Sequence, residues 1–382
     1  MAQRAGASIL AISVGLAACG SSPATDASSP SALETGTPDA PSTRCARSPT
    51  CLERSLSELC AEDLVLGAVL ALEHEDGTRT VATCGHADLA RTRPMQRGDR
   101  ARVGSITKTF TATLALLGIA RGELHLDDTV ASHGVTTDAA ELITVQQLLR
   151  HTAGLPEYND DPAFDWSRPW TIDEVLAWVT AEREPSHAPG AAFGYSGTHY
   201  QAMAAVLARA GGNDYGSLLH ARLLDPLGLE DTFLEGAEEV SGGRVEGSHP
   251  IGVELGPREH ADDWASADGS LVSSVDDLLT FFERTFVTRD VLPAAQLDAM
   301  LTVTSLPGGE IPSFLGNPYG MGVQLEDATA GTIVLHGGRD FGFVAYVGVQ
   351  PDTGRGVAVL VNSDHADPRR YADLGWALLA AP

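Results

Sequence analysis

The β-rich segments of this chain lie towards its two ends, with helical patterns between them. Leu64–Leu72 and Thr78–Cys84 are two such runs, joined by a His-Glu-Asp-Gly turn at 74–77. Ile333–Leu335, Phe343–Val349 and Gly356–Asn362 are three more, separated by turn signals such as Pro351-Asp352-Thr353-Gly354. A short helix over Leu52–Cys60 precedes the first pair, and Ala372–Ala380 reads as a closing helix. From Ser105, apolar residues at Phe110, Leu114, Leu117 and Ile119 recur at helical spacing and stop at Gly122. From about 126 to 250 the signals are mostly helical, and Thr144-x-x-Gln147 and Thr171-x-x-Glu174 are capping boxes opening two helices. The pattern predicts an α+β fold: one antiparallel sheet from the N- and C-terminal parts, flanked by helices, with a mostly helical region inserted.

The folded region begins at about residue 45, so the domain runs over 45–382. Before it, Arg4 and the apolar stretch from Ser8 to Ala18 have the length of an export signal, too short to span a bilayer. Leu16-Ala17-Ala18-Cys19 resembles the bacterial lipobox, in which the Cys is lipidated and becomes the first residue. Gly20–Thr43 is almost all Ser, Pro, Ala, Thr, Asp and Gly, a mixture that buries too little apolar surface to offset its ordering entropy. Residues 1–18 are thus expected to be a signal peptide and 19–44 a lipidated Cys with a flexible linker. This places the protein in the cell envelope or periplasm, on the membrane through its lipid alone.

Cys45, Cys51, Cys60 and Cys84 are an even set in an exported chain, which predicts two disulfides. No Cys-x2-Cys pair or close His pair supports a zinc site, and no metal or cofactor is expected. Of three pairings, Cys45 with Cys51 and Cys60 with Cys84 is favoured, the second pinning the first helix to the hairpin. The formal charge of -26 argues against a nucleic-acid partner.

Twenty-four of the 25 basic residues are arginines, and the one lysine, Lys108, stands three places after Ser105 at a helix start. A serine nucleophile needs a base, and an amine loosened by the helix N-terminus and partial burial can serve where a guanidinium cannot. Phe193-Gly194-Tyr195-Ser196 and Leu335-His336-Gly337-Gly338 follow later, with Leu148-Leu149-Arg150-His151-Thr152-Ala153-Gly154-Leu155 before them and Tyr319-Gly320-Met321-Gly322 between them. Taken in order, these five stretches resemble the serine β-lactamase-related family, which includes class C β-lactamases, DD-carboxypeptidases and esterases.

The resemblance implies that Ser105 attacks a carbonyl while Lys108 and the Tyr195 phenol shuttle the proton. It puts the oxyanion between the backbone N–H groups of Ser105 and Arg339, beside Gly338, with His336 lining the site and holding its electrostatics near neutral pH. Gly197 stands at the family's Asn position, so no side-chain amide is available there, which favours esters or activated amides over β-lactams. Arg339 is a candidate anchor for a substrate carboxylate, or else a surface arginine paired with Asp340. His151, ending a helix, reads as structural. The expected partner is a small-molecule ester, amide or wall peptide. The alternatives are a class C-like β-lactamase and a non-catalytic penicillin- or wall-peptide-binding lipoprotein. The near-match of 194–197 to the Gly-x-Ser-x-Gly elbow of α/β-hydrolases fails because position 198 is Thr.

Overall fold

The computed structural model describes residues 48–381 apart from 160, 239–241, 243, 252–253 and 257–265. The expected export signal, Cys19, the expected linker and Cys45 lie outside the described residues. The two predicted end regions do meet in one sheet. At the N-terminal end, β1 (Gly67–Glu73) and β2 (Arg79–Gly85) form a hairpin. At the C-terminal end, β3 (Gln324–Ala328), β4 (Gly331–Asp340), β5 (Phe343–Val349) and β6 (Gly356–Val361) form a meander. The sheet order is β3-β4-β5-β6-β1-β2, antiparallel throughout, and it closes where β6 pairs β1 with Leu70 opposite Val359.

Both faces of β1 are covered, which is why it reads as an unbroken apolar run rather than an alternation. Ala68, Leu70 and Leu72 face one layer, and Val69 and Ala71 the other, as the two-residue period of a strand requires. The first layer is made by α1 (Pro49–Asp63), with Leu52, Leu56 and Cys60 on one stripe, together with the closing helix Pro368–Ala380. Pro49 starts α1, and Leu64 ends it in the left-handed region. The Cys60–Cys84 bridge ties α1 to β2 as predicted, and Cys51 is also disulfide-bonded.

Against the other face lies α2 (Thr107–Ala120), buried on almost every side. Its threonines satisfy their hydroxyls on backbone carbonyls, Thr109 on Gly322 at 2.7 Å and Thr111 on Ala267 at 2.7 Å. The inserted region supplies α3 (Val145–Leu149), α4 (Ile172–Glu182) and α5 (Gly197–Gly211), the first two opened by the predicted capping boxes. Helices do not stop near 250. Val275–Phe282, capped by Ser274, and Ala294–Leu301 follow and pack on the same core.

Candidate active site

Ser105 sits in a single 3-10 turn, Gly104–Ile106, that leads into α2. Gly104 adopts φ +51°, and a Cβ there would lie 2.7 Å from both N and O of Arg339, so the turn rests directly on the backbone of β4. Pairing explains which edge it meets. β4 and β5 are joined by Phe341-Gly342, with Asp340 opposite Phe343 and Arg339 opposite Val344. In a two-residue hairpin the residues flanking the loop bond each other, so the N–H and C=O of Arg339 point away from β5. On that outer edge β3 pairs only as far as Leu335, and the Ser105 turn takes its place. Gly338 completes the fit, since a Cβ there would fall 1.8 Å from the Val103 carbonyl. Two backbone N–H groups, of Ser105 and Arg339, thus adjoin the serine in the form an oxyanion needs.

Lys108 Nζ donates to Ser105 Oγ at 3.1 Å and to the Asp268 carbonyl at 2.8 Å, with the Asp268 carboxylate at 3.5 Å. The amine is buried, and burial works to lower its pKa. Tyr195, Asp268 and Glu157 outweigh that, and the net shift is upward. The expected loosening of the lysine proton is therefore corrected: burial alone would favour it, but the groups facing Lys108 shift its pKa upward. Its Nζ lies 5.0 Å from the centre of the Tyr195 ring. The Tyr195 phenol is raised by burial and pulled back by Lys108 and Ser105, though its buried oxygen makes no hydrogen bond of ordinary geometry. Lys108 and Tyr195 form a coupled pair, each acting on the other's pKa, and a proton leaving Ser105 can enter it once the pair has lost one of its own.

The expected vacancy at Gly197 is filled. A Cβ at 197 would lie 2.2 Å from Asp268 Oδ2 and 2.9 Å from Asn159 Nδ2, so a carboxylate and an amide from elsewhere occupy the room an Asn side chain would take. Asp268 Oδ1 accepts from Tyr158 at 2.8 Å, Gln201 at 2.6 Å and the Ser266 hydroxyl, whereas Oδ2 has only the long contacts to Lys108 and, at 3.4 Å, Asn159. Glu157 accepts from the Gly197 N–H at 2.6 Å, at the start of α5, where the helix dipole favours a carboxylate. Burial and the nearby Asp268 nonetheless raise its pKa. Sequence reasoning missed these three acidic and amide groups. Glu157 and Asn159 follow the His-Thr-Ala-Gly-Leu stretch closely enough to have been suspected, but Asp268 lies in an ordinary-looking Ala-Asp-Gly-Ser turn.

His336 is buried, and burial pushes its pKa down to about 3. It is neutral at physiological pH and cannot hold the site's electrostatics by titrating, which corrects the expectation. Its Nδ1 lies 2.6 Å from the Gly337 carbonyl, which only accepts, so Nδ1 carries the proton and Nε2 accepts from Tyr319 at 3.1 Å. The Arg339 guanidinium does not pair with Asp340. It binds the backbone carbonyls of Asp364 and, at 3.1 Å, Ala366, while Asp340 faces Arg102 at 4.0 Å.

Ser105 opens onto two clefts. One, of about 490 Å³, is lined by Asp268, Asp340 and Asp364 with Tyr158, Trp166 and Phe341, and Arg339 is the cation on its wall. The other, of about 440 Å³, carries Phe314, Leu315, Leu335 and Tyr346. Among the described residues no cluster has the makings of a metal site.

A serine beside an amine and a phenol, with backbone N–H groups adjoining, is an arrangement able to form an acyl-enzyme. The chain belongs to the β-lactamase family, which it matches over residues 52–381. The D-aminopeptidase of Cereibacter sphaeroides is 25% identical over 320 residues, covering 77% of this chain and 59% of that protein. The chain thus spans about three fifths of that relative's length. The β-lactamase of Escherichia coli is 24% identical over 364 residues, covering 86% of this chain and 92% of that one. Among solved structures, a D-stereospecific amidohydrolase from Streptomyces sp. aligns with a TM-score of 0.74 at 28% identity, covering 86% of this chain and 98% of the other.

Proposed function

We propose that the protein hydrolyses amides and esters of amino acids whose α-ammonium is free, with preference for the D configuration. The observation that carries this reading is Asp268 Oδ2, an under-bonded carboxylate oxygen filling the space at Gly197 and lining the cleft beside Ser105. An ammonium on the α-carbon lies two bonds from the carbonyl carbon that Ser105 attacks, and Asp268 with Asp340 gives it a negative surround. A carboxylate-bearing β-lactam or wall peptide meets the same charge as repulsion, and Arg339 has already committed donors to two carbonyls. The aromatic wall of Tyr158, Trp166 and Phe341 suits an apolar side chain on the same carbon. The D preference is drawn from the relatives' names and supported by the fold they share.

In this scheme the Lys108–Tyr195 pair reacts in the form that has lost one of its two protons, and Ser105 Oγ attacks the carbonyl as its own proton fills that vacant site. The oxyanion is held by the N–H groups of Ser105 and Arg339, and the pair returns the proton to the departing amine or alcohol. Water then enters by the same route and releases the acid. The proposal retains export through residues 1–18 and anchoring at Cys19, hence a place in the cell envelope.

The test compares kcat/KM for D-phenylalanine amide, its L enantiomer, N-acetyl-D-phenylalanine amide, a D-Ala-D-Ala peptide and a chromogenic cephalosporin, with Ser105→Ala as the blank. Losing a charged hydrogen bond costs about 1.5–3 kcal/mol, so N-acetylation is expected to lower kcat/KM at least about tenfold. Equal turnover of the acetylated amide, or a cephalosporin as the best substrate, would overturn the reading.

A further inference from the structure

Tyr195 has no hydrogen bond at its own oxygen to fix it. Its ring is held between two others, Phe314 at 3.9 Å and nearly parallel, and His151 at 4.3 Å. Rings this near one centroid have room only on opposite faces. Its backbone is held by the next residue, whose N–H donates to His151 Nδ1 at 3.2 Å. His151 thus grips both the ring and the main chain of the segment that delivers the phenol.

What holds His151 is a second buried histidine. His199, in the first turn of α5, lies with its Nδ1 3.1 Å from His151 Nδ1, and its Nε2 accepts from the Leu155 N–H at 3.2 Å. Two backbone N–H groups settle every proton in the pair. The Ser196 N–H only donates, so His151 Nδ1 is an acceptor. The Leu155 N–H only donates, so His199 Nε2 is an acceptor and its proton sits on Nδ1, directed at His151. His151 then carries its own proton on Nε2, which is buried without a hydrogen-bond partner. Burial keeps both rings neutral, His199 with a pKa pushed down to about 3 and His151 well below its ordinary value.

We propose that His199 is a positioning residue for Tyr195: its Nδ1–H is a second donor to the one Nδ1 lone pair of His151 and reinforces the Nε2–H tautomer in which that lone pair also anchors the Ser196 N–H. Without that donor only the Ser196 N–H opposes a move of the His151 proton to Nδ1, where it would point at that N–H and push the segment away. The proposal rests on the reading of Tyr195 as part of the proton-carrying pair.

Two nearly isosteric variants separate this from a packing role. His199→Asn places an amide N–H close to Nδ1, whereas His199→Gln reaches the Nε2 position and leaves Nδ1 without a donor. Each full-length variant is assayed on a methyl ester and a p-nitrophenyl ester of one acyl group, because a displaced phenol slows the attack of Ser105 on both but adds the loss of leaving-group protonation only for the methyl ester. For His199→Gln the expected loss in kcat is about 100-fold on the methyl ester and under about fivefold on the p-nitrophenyl ester, with KM little changed. His199→Asn is expected to recover most of the methyl-ester rate. Equal losses on both esters, a change confined to KM, or equal behaviour of Asn and Gln would overturn the proposal. Tyr195→Phe tests the underlying reading separately: if it keeps methyl-ester turnover, the role of Tyr195 fails whatever His199 does.

Discussion

Asp340 stands next to the oxyanion strand residue Arg339 and on the wall of the acidic cleft. Burial raises its carboxyl pKa to about 6, with Arg102 offsetting only part of the penalty. A raised carboxyl is neutral below that value, so the cleft loses a negative charge as pH falls through about 6. For a cationic substrate KM is expected to rise about fivefold or more between pH 7.5 and 5.5, while KM for an uncharged ester stays level. Steady-state kinetics on both substrates check this, and Asp340→Asn should flatten the difference. At this scale the sequence exposes what motif spacing can carry. Ser105, Lys108 and Tyr195 come together because one turn, the helix it opens and the loop leading into α5 place them. The substitution of Asp268 for a missing amide is illegible, because it depends on two residues 71 positions apart sharing one Cβ-sized space. Gly197 alone suggests an absence, and only the fold shows the occupant.

Among elements, the contact between β4 and the Ser105 turn is the one on which chemistry hangs. Gly337 and Gly338 are neighbours on β4 with opposite demands. A Cβ on Gly337 meets nothing closer than 3.9 Å, whereas one on Gly338 falls 1.8 Å from the Val103 carbonyl. Gly338→Ala is therefore expected to push the strand from the turn and lower kcat about 100- to 1000-fold, as loss of an oxyanion donor does, while Gly337→Ala stays near wild type. Comparable rates for the two variants would show that this contact does not shape the site. The strand also shows why element limits were misjudged. Ile333–Leu335 was legible as β, but the His-Gly-Gly that follows reads as a strand's end. Pairing with β5 carries β4 through those glycines to Asp340, and such a partner is invisible to local pattern. Where the signal was local the bounds held: Phe343–Val349 is β5 to the residue, and both capping boxes form.

For the whole molecule, the Cys60–Cys84 bridge fastens the outer helical layer to the sheet, on the face away from Ser105. Closing a loop with a sequence separation of 24 should contribute about 3 kcal/mol by restricting the unfolded chain. Cys60→Ala/Cys84→Ala is expected to lower the urea midpoint accordingly with kcat unchanged, and a parallel fall in kcat would link that layer to the site. The α+β architecture was legible because β patterns cluster at the ends of the folded region. The full reach of the helical region, past 250 to Leu301, was not, since helices after that point share a core with strands distant in sequence.

The sheet that joins β1 to β6 has a consequence for how the protein comes into being. One oxyanion donor is made early in synthesis and the other near its end, and the hairpin of β1 and β2 waits for almost the whole chain before its remaining edge is covered. Such long-range closure is slow. Under the proposed mechanism an emerging polypeptide carries Ser105 as an inert serine, and its reactivity towards carbonyl compounds arrives only with the last strands, so that a growing chain is kept from acylating itself on whatever it meets.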